Sequence, residues 1–294
     1  MDKSNKLRIA EQLRAYVDRK GSQKKAANSM DGVSSATINK ILNETDWETI
    51  SEEMWRSVDA QTRVSSKEWE LAETSTFNKL MFMLSEAQKD SLVFCVTGLA
   101  GSGKTETINH YASKHKNVYH LVCAEHWNRR TFVAKVLQCM GASASGCTIN
   151  DMMEDVVDNL NRKETPLLVL DEADKISDQV LYFFITLYNQ LEGKCGIVLC
   201  ATSFLQSRIV RGLRLNKKGY QELYSRIGRK FPALPIPSEE DICRVCVANG
   251  VERERDIKNI VKEATNSDNI DFRKVKREIW KLRKQEAKNG SSSK

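Results

Sequence analysis

Residues 98–105 read GLAGSGKT, which fits the spacing Gly-x-x-x-x-Gly-Lys-Thr. Gly98, Gly101 and Gly103 free the backbone to curl. The N–H groups of the loop, through Leu99, Ala100 and Ser102, can then point at phosphate oxygens. Lys104 spans the β- and γ-phosphates, and Thr105 offers a hydroxyl to Mg²⁺. A second constellation, LLVLDE at 167–172, sets two acids at the end of an apolar run. Asp171 is placed to hold the Mg²⁺ shell and Glu172 to polarise an attacking water. A chain that only bound nucleotide would not need the second acid, so the pair predicts hydrolysis. The plainer alternative for Glu172 is a helix N-terminal charge.

The string DEAD, with CATS and YSRIGRK downstream, also spells most of the motif set of a DEAD-box helicase. That enzyme needs a second α/β domain, and its arginine motif lies in that domain. Here Arg226 follows Ala201 too closely, and too little chain remains after Lys230 to build such a domain. Thr202, with Ser203 as the alternative, reads instead as a polar sensor beside the γ-phosphate. Arg226, with Arg229 as the alternative, reads as an arginine finger at a helix end.

These residues need a scaffold, and the flanking pattern supplies one. The runs SLVFCVTG (91–98), NVYHLVCA (117–124), PLLVLDEA (166–173) and GIVLCATS (196–203) are continuously apolar, as parallel strands covered on both faces should be. Helical periodicity separates them at 104–115, 128–140, 148–163 and 178–192, and LMFML (80–84) marks a helix leading into the first strand. Alternation of this kind predicts an α/β fold with a parallel sheet over 70–237. KFPALPIP (230–237) is expected as a short fifth strand, and RIVRGLRLNKKGYQ (208–221) as a basic loop.

On either side lie helical blocks. Residues 1–65 hold two short helices joined by a turn at Gly32, the spacing of a helix-turn-helix module. In that reading Ser35, Thr37, Asn39 and Lys40 face DNA; a protein-docking module is the alternative. Residues 238–290 read as a small helical lid, opened by a Ser238–Asp241 capping pair, and 291–294 as a disordered tail.

The order of these motifs resembles the AAA+ ATPases. Their transposition target-selection group resembles this chain over nearly its whole length: proteins like the phage Mu B protein and, more distantly, the Tn7 C protein and the insertion-sequence B proteins. GSGKTE, LLVLDEADKI, GIVLCAT and LYSRIGRKF carry the resemblance, together with an amino-terminal helical module and a short lid. One departure is Thr202, where that group often has Asn. The resemblance implies ATP and Mg²⁺ as cofactors and an arginine finger acting on the neighbouring subunit. It also implies Arg273 as the lid's γ-phosphate sensor. Beyond the site it implies a homo-oligomer or helical filament on double-stranded DNA that recruits a DDE transposase. Arg129, Arg130 and Lys175 are the candidate phosphate contacts of such an assembly. A helicase loader or replication initiator, and an ATP-controlled transcription regulator, are the competing readings.

Composition agrees with this outline. The chain of 294 residues is 40% hydrophobic and 29% charged, a globular balance. No apolar run is long enough for a membrane span and no signal-peptide core opens the sequence, so a cytoplasmic protein is expected. The 8 cysteines are scattered through predicted core segments, which suggests reduced thiols; Cys243 and Cys246 read as packing residues, not as a zinc site. A net charge of +7 suits a polyanion partner.

Overall fold

The four apolar runs form four parallel strands: β1 (Val93–Thr97), β2 (Val118–Val122), β3 (Leu167–Asp171) and β4 (Gly196–Ala201), in the order β1-β4-β3-β2. The structure, a computed structural model, describes residues 3–62, 69–265 and 270–291, with side chains to 285. The two central strands, β3 and β4, are buried along their whole length, which is why their sequences do not alternate. With β4 between β1 and β3, the carboxyl ends of these three strands lie side by side. The glycine loop, the acids and Thr202 all follow those ends, the usual ligand edge of an open parallel sheet.

One face of the sheet is covered by the helices Ser75–Lys89 and Lys104–Lys114, whose Leu80, Leu84, Ala87, Ile108 and Tyr111 pack on Val96, Val169 and Val198. Gly196 permits this packing. A Cβ there would lie 2.2 Å from the Ala87 carbonyl oxygen. The helix Asp178–Leu191 buries Leu181, Phe184 and Leu187.

Two expectations need correction. The fifth strand over 230–237 does not form. Ala233 makes a single parallel bridge to Thr97, through Thr97 N–H to Pro232 O (3.0 Å) and Leu234 N–H to Thr97 O (2.8 Å). Pro232, Pro235 and Pro237 have no N–H to extend the ladder. The stretch 208–221 is mostly not a loop. Thr202 caps a helix Ser203–Arg214 with Leu205, Ile209 and Gly212 buried at helical spacing, and Tyr220–Arg226 is a second helix. The high density of charge masked that periodicity.

The last three helices, Glu239–Ala248, Glu254–Thr265 and Phe272–Ser291, share a core of Ile242, Cys246, Ile260, Val275 and Ile279. Ser291 is therefore helical, and the rest of the tail expected at 291–294 lies outside the described residues. Ser238 and Asp241 form the expected capping box. Asp241 does more: its carboxylate also accepts from the Ser75 N–H (2.7 Å) and hydroxyl (2.6 Å), tying the lid to the first helix under the sheet. Burial pushes the Asp241 pKa up, but the bonds from Ser75 and Ser238 outweigh it and hold it below the ordinary carboxylate value. Asp241→Ala is expected to cost roughly 2–4 kcal/mol, read by denaturant unfolding. Because the folded pKa is the lower one, that stabilisation is present above about pH 4 and disappears as pH falls through the folded value.

By its contacts the chain divides into two units, and the division is not linear. Residues 68–127 and 163–294 form the sheet unit with the lid. Residues 1–67 associate with 128–162, the excursion between β2 and β3. In this unit the helices Lys3–Lys20, Gln23–Asn28, Ser35–Leu42 and Glu52–Thr62 enclose Ile9, Leu13, Ile38, Ile41 and Trp55. The excursion contributes helices Arg129–Cys139 and Ile149–Asn161. Asn28 donates to Gly141 O (3.1 Å) and Gln138 to Asp31 (3.1 Å), bonding the two segments.

Candidate nucleotide site

Gly101 and Gly103 have positive φ (74° and 90°), and Gly103 caps the helix that begins at Lys104. The loop N–H groups thus end at a helix N-terminus, an arrangement suited to anions. The loop is also joined to the lid. Gly101 O accepts from Phe272 N–H (2.9 Å), and a Cβ on Gly101 would fall 1.9 Å from the Asp271 carboxylate. Ser102 is buried with its hydroxyl on Leu99 O (2.9 Å). The cleft above the loop measures about 490 Å³ and is lined by Lys104, Thr105, Asp171, Glu172, Thr202 and Arg273 among others.

Lys104 donates to Gly98 O (2.9 Å) and Leu99 O (2.7 Å). Burial pushes its pKa down, and the Asp171 charge opposes the drop. Asp171 is fully buried and accepts from the Thr105 hydroxyl at 2.6 Å. Burial raises its pKa, yet the His120, Thr105 and Glu172 N–H contacts outweigh this and hold it below the ordinary carboxylate value. A lysine ammonium with curled N–H groups suits phosphates, and a buried carboxylate with a hydroxyl suits a hard divalent cation. The donor set therefore fits a magnesium nucleotide. Lys104→Ala is expected to weaken nucleotide binding about 100-fold or more, the worth of two charge-assisted hydrogen bonds, in a fluorescent-nucleotide titration.

Glu172 sits in the left-handed region (φ 53°) directly after Asp171 and lines the cleft. Its carboxylate is ion-paired with Lys175, so this candidate DNA contact is engaged inside its own chain. Thr202 also lines the cleft, and both its N–H and its hydroxyl donate to Asp174 (3.3 and 3.2 Å). Arg273 opens the last helix and lines the cleft; Lys276, one turn on, lies 5.0 Å from the Trp69 ring centre.

Two further candidates of the sheet unit lie elsewhere. Neither Arg226 nor Arg229 lines the cleft of its own chain. Arg226 ends the helix Tyr220–Arg226, stacked 5.1 Å from the Tyr188 ring centre and 3.7 Å from Glu222; Arg229 is exposed with φ 57°. Arg129 and Arg130 are exposed in the first turn of their helix, and Arg130 donates to Cys147 O. Ser35 and Asn39 are exposed. Thr37 is tied to the Ser34 cap, Asn39 accepts from Asn43, and Lys40 donates to Thr49.

Sequence reasoning missed three groups. His120 is the middle residue of β2 with Nε2 3.5 Å from Asp171. Asp174, the last letter of the DEAD string, orients Thr202. Arg208 donates to Asp178 and to Ile176 O (2.7 Å), while Tyr220 also donates to Asp178 (2.8 Å). This network ties the helix that ends at Arg226 to the chain just after the acids. The tetrad spacing was a usable signal for Asp174; the other two depend on which strand lies beside which.

Residues 87–209 match the family model described as the AAA domain. Among curated proteins the chain is similar to the Mu-like prophage FluMu DNA transposition protein B of Haemophilus influenzae. The two are 25% identical over 199 residues, 66% of this chain and 67% of that protein. Among solved structures it superposes on a chain of the "Structure of Drosophila ORC bound to DNA" with TM-score 0.48 and 15% identity, covering 79% of this chain. It spans 60% of that chain's length. Among the described residues no helix is long and apolar enough to cross a membrane. With its strand order, its glycine loop and its buried acid in place, the chain carries a match to the AAA domain over 87–209 and is similar to the prophage DNA transposition protein B.

Proposed function

We propose that this protein is an ATP-dependent DNA-binding regulator of transposition. It assembles as an oligomer or filament on duplex DNA with little sequence preference, recruits and stimulates a transposase, and lets go of DNA on hydrolysis. The observation that carries the reading is the split of the machinery. Lys104, Thr105, Asp171, Glu172 and Thr202 share one cleft, while the arginines of the SRIGR segment stand outside it. A site so divided is suited to completion by a neighbour. The similarity to a transposition protein B supplies the biological setting.

In this reading Lys104 and the loop N–H groups hold the phosphates, and Thr105 with Asp171 holds Mg²⁺. Glu172 takes a proton from the attacking water after parting from Lys175. Magnesium nucleotide, when bound, supplies the bond to be cleaved. Electron microscopy of the protein with ATP and random-sequence duplex DNA tests the assembly. Continuous coating that needs ATP is expected, with uniform protection in footprinting. One protected operator, or no coating without a helicase partner, would point to the transcription-regulator or loader reading instead.

A further inference from the structure

The last helix, Phe272–Ser291, buries Val275 and Ile279 in the lid core. At 100° per residue its opposite side presents Arg273, Arg277, Trp280, Lys281 and Lys284, all exposed. Trp280 is 47% exposed and lies under Lys276, 5.4 Å from its ring centre. The stripe runs about 16 Å along the axis. Between residues 273 and 285 the sole acid is Glu278, off the stripe and neutralised by Lys281 at 2.7 Å. An isolated lysine or arginine needs no partner to explain it, but four cations repeating at helical spacing on one face, of which Lys281 shares its charge with Glu278, make a linear field.

We infer that this face docks on the phosphate backbone of duplex DNA. The inference rests on the DNA-binding reading above and names a surface for it outside the candidates at Arg129, Arg130 and Lys175. The partner follows from the charge geometry. Duplex DNA offers about one negative charge per 1.7 Å of axis, a line matched to a line. A lipid surface would need an apolar face to insert, and here the apolar face is already buried in the lid. Arg273 adds a link. It lines the nucleotide cleft and heads the stripe, so one rigid helix touches both ligands, and DNA affinity depends on the nucleotide bound.

The test is the triple substitution Arg277→Gln, Lys281→Gln and Lys284→Gln, which spares Arg273 and alters only exposed side chains. Binding of random-sequence duplex is measured by anisotropy over a salt series with ATP present. The expected result is weaker binding with a log–log salt slope shallower by about 2–3, the loss of three phosphate contacts. Nucleotide affinity stays unchanged, and Arg277→Lys keeps the wild-type slope. An unchanged slope in the triple variant, while the wild type binds duplex, overturns this surface alone. Tighter binding of single strands than of duplex overturns the duplex assignment. No binding by the wild type at any salt overturns the DNA-binding reading itself.

Discussion

Arg226→Ala is expected to lower ATP turnover by about a thousandfold or more while leaving nucleotide affinity of the single chain nearly intact, because arginine fingers act on developing charge and not on ground-state binding. The structural basis is placement. Arg226 is the last residue of its helix, held over Tyr188 and away from the cleft of its own chain. Its helix is fixed at the other end by Tyr220, bonded to Asp178. The decisive measurement is a mixing experiment. Arg226→Ala subunits keep the glycine loop, and Lys104→Ala subunits keep the arginine. Neither turns over ATP alone, and together they recover a substantial share of wild-type activity. Absence of recovery at any mixing ratio would mean that the two residues do not serve one shared site.

Glu172→Gln is the second large effect. Glutamine keeps size and polarity but cannot accept a proton, so turnover should fall by about 10²–10⁴ with nucleotide affinity preserved. The same change removes the ion pair with Lys175. Assemblies formed with ATP are then expected to persist on DNA, because the step that releases them is blocked. Single-turnover hydrolysis and the lifetime of the DNA-bound state measure the two consequences. Normal hydrolysis by this variant would remove Glu172 from the role of base.

The parts of this picture visible in the sequence are those encoded over short distances. The glycine spacing at 98–105, the apolar run ending at Asp171 and the alternation of strand and helix are local patterns, and the helices and strands lie close to where those patterns put them. The capping pair at Ser238 and Asp241 is local too. What escaped depends on neighbours distant in sequence. The contact of His120 with Asp171 exists because β2 lies beside β3, and the Thr202–Asp174 bonds because β4 lies on the other side. The expected fifth strand over 230–237 reads as apolar but is emptied of donors by three prolines. Charge at 208–221 concealed a buried helical stripe for the opposite reason: cations on the outer face dominate the composition of a helix that is half inside.

The unit built from residues 1–67 and 128–162 has a consequence for exchange between relatives. Its parts are not contiguous in the gene, yet Asn28 reaches Gly141 and Gln138 reaches Asp31. Grafting the amino-terminal helices from another protein would strand those bonds unless the excursion travelled with them. The unit would thus be inherited as two linked inserts, and a chimera cut only once would carry mismatched halves.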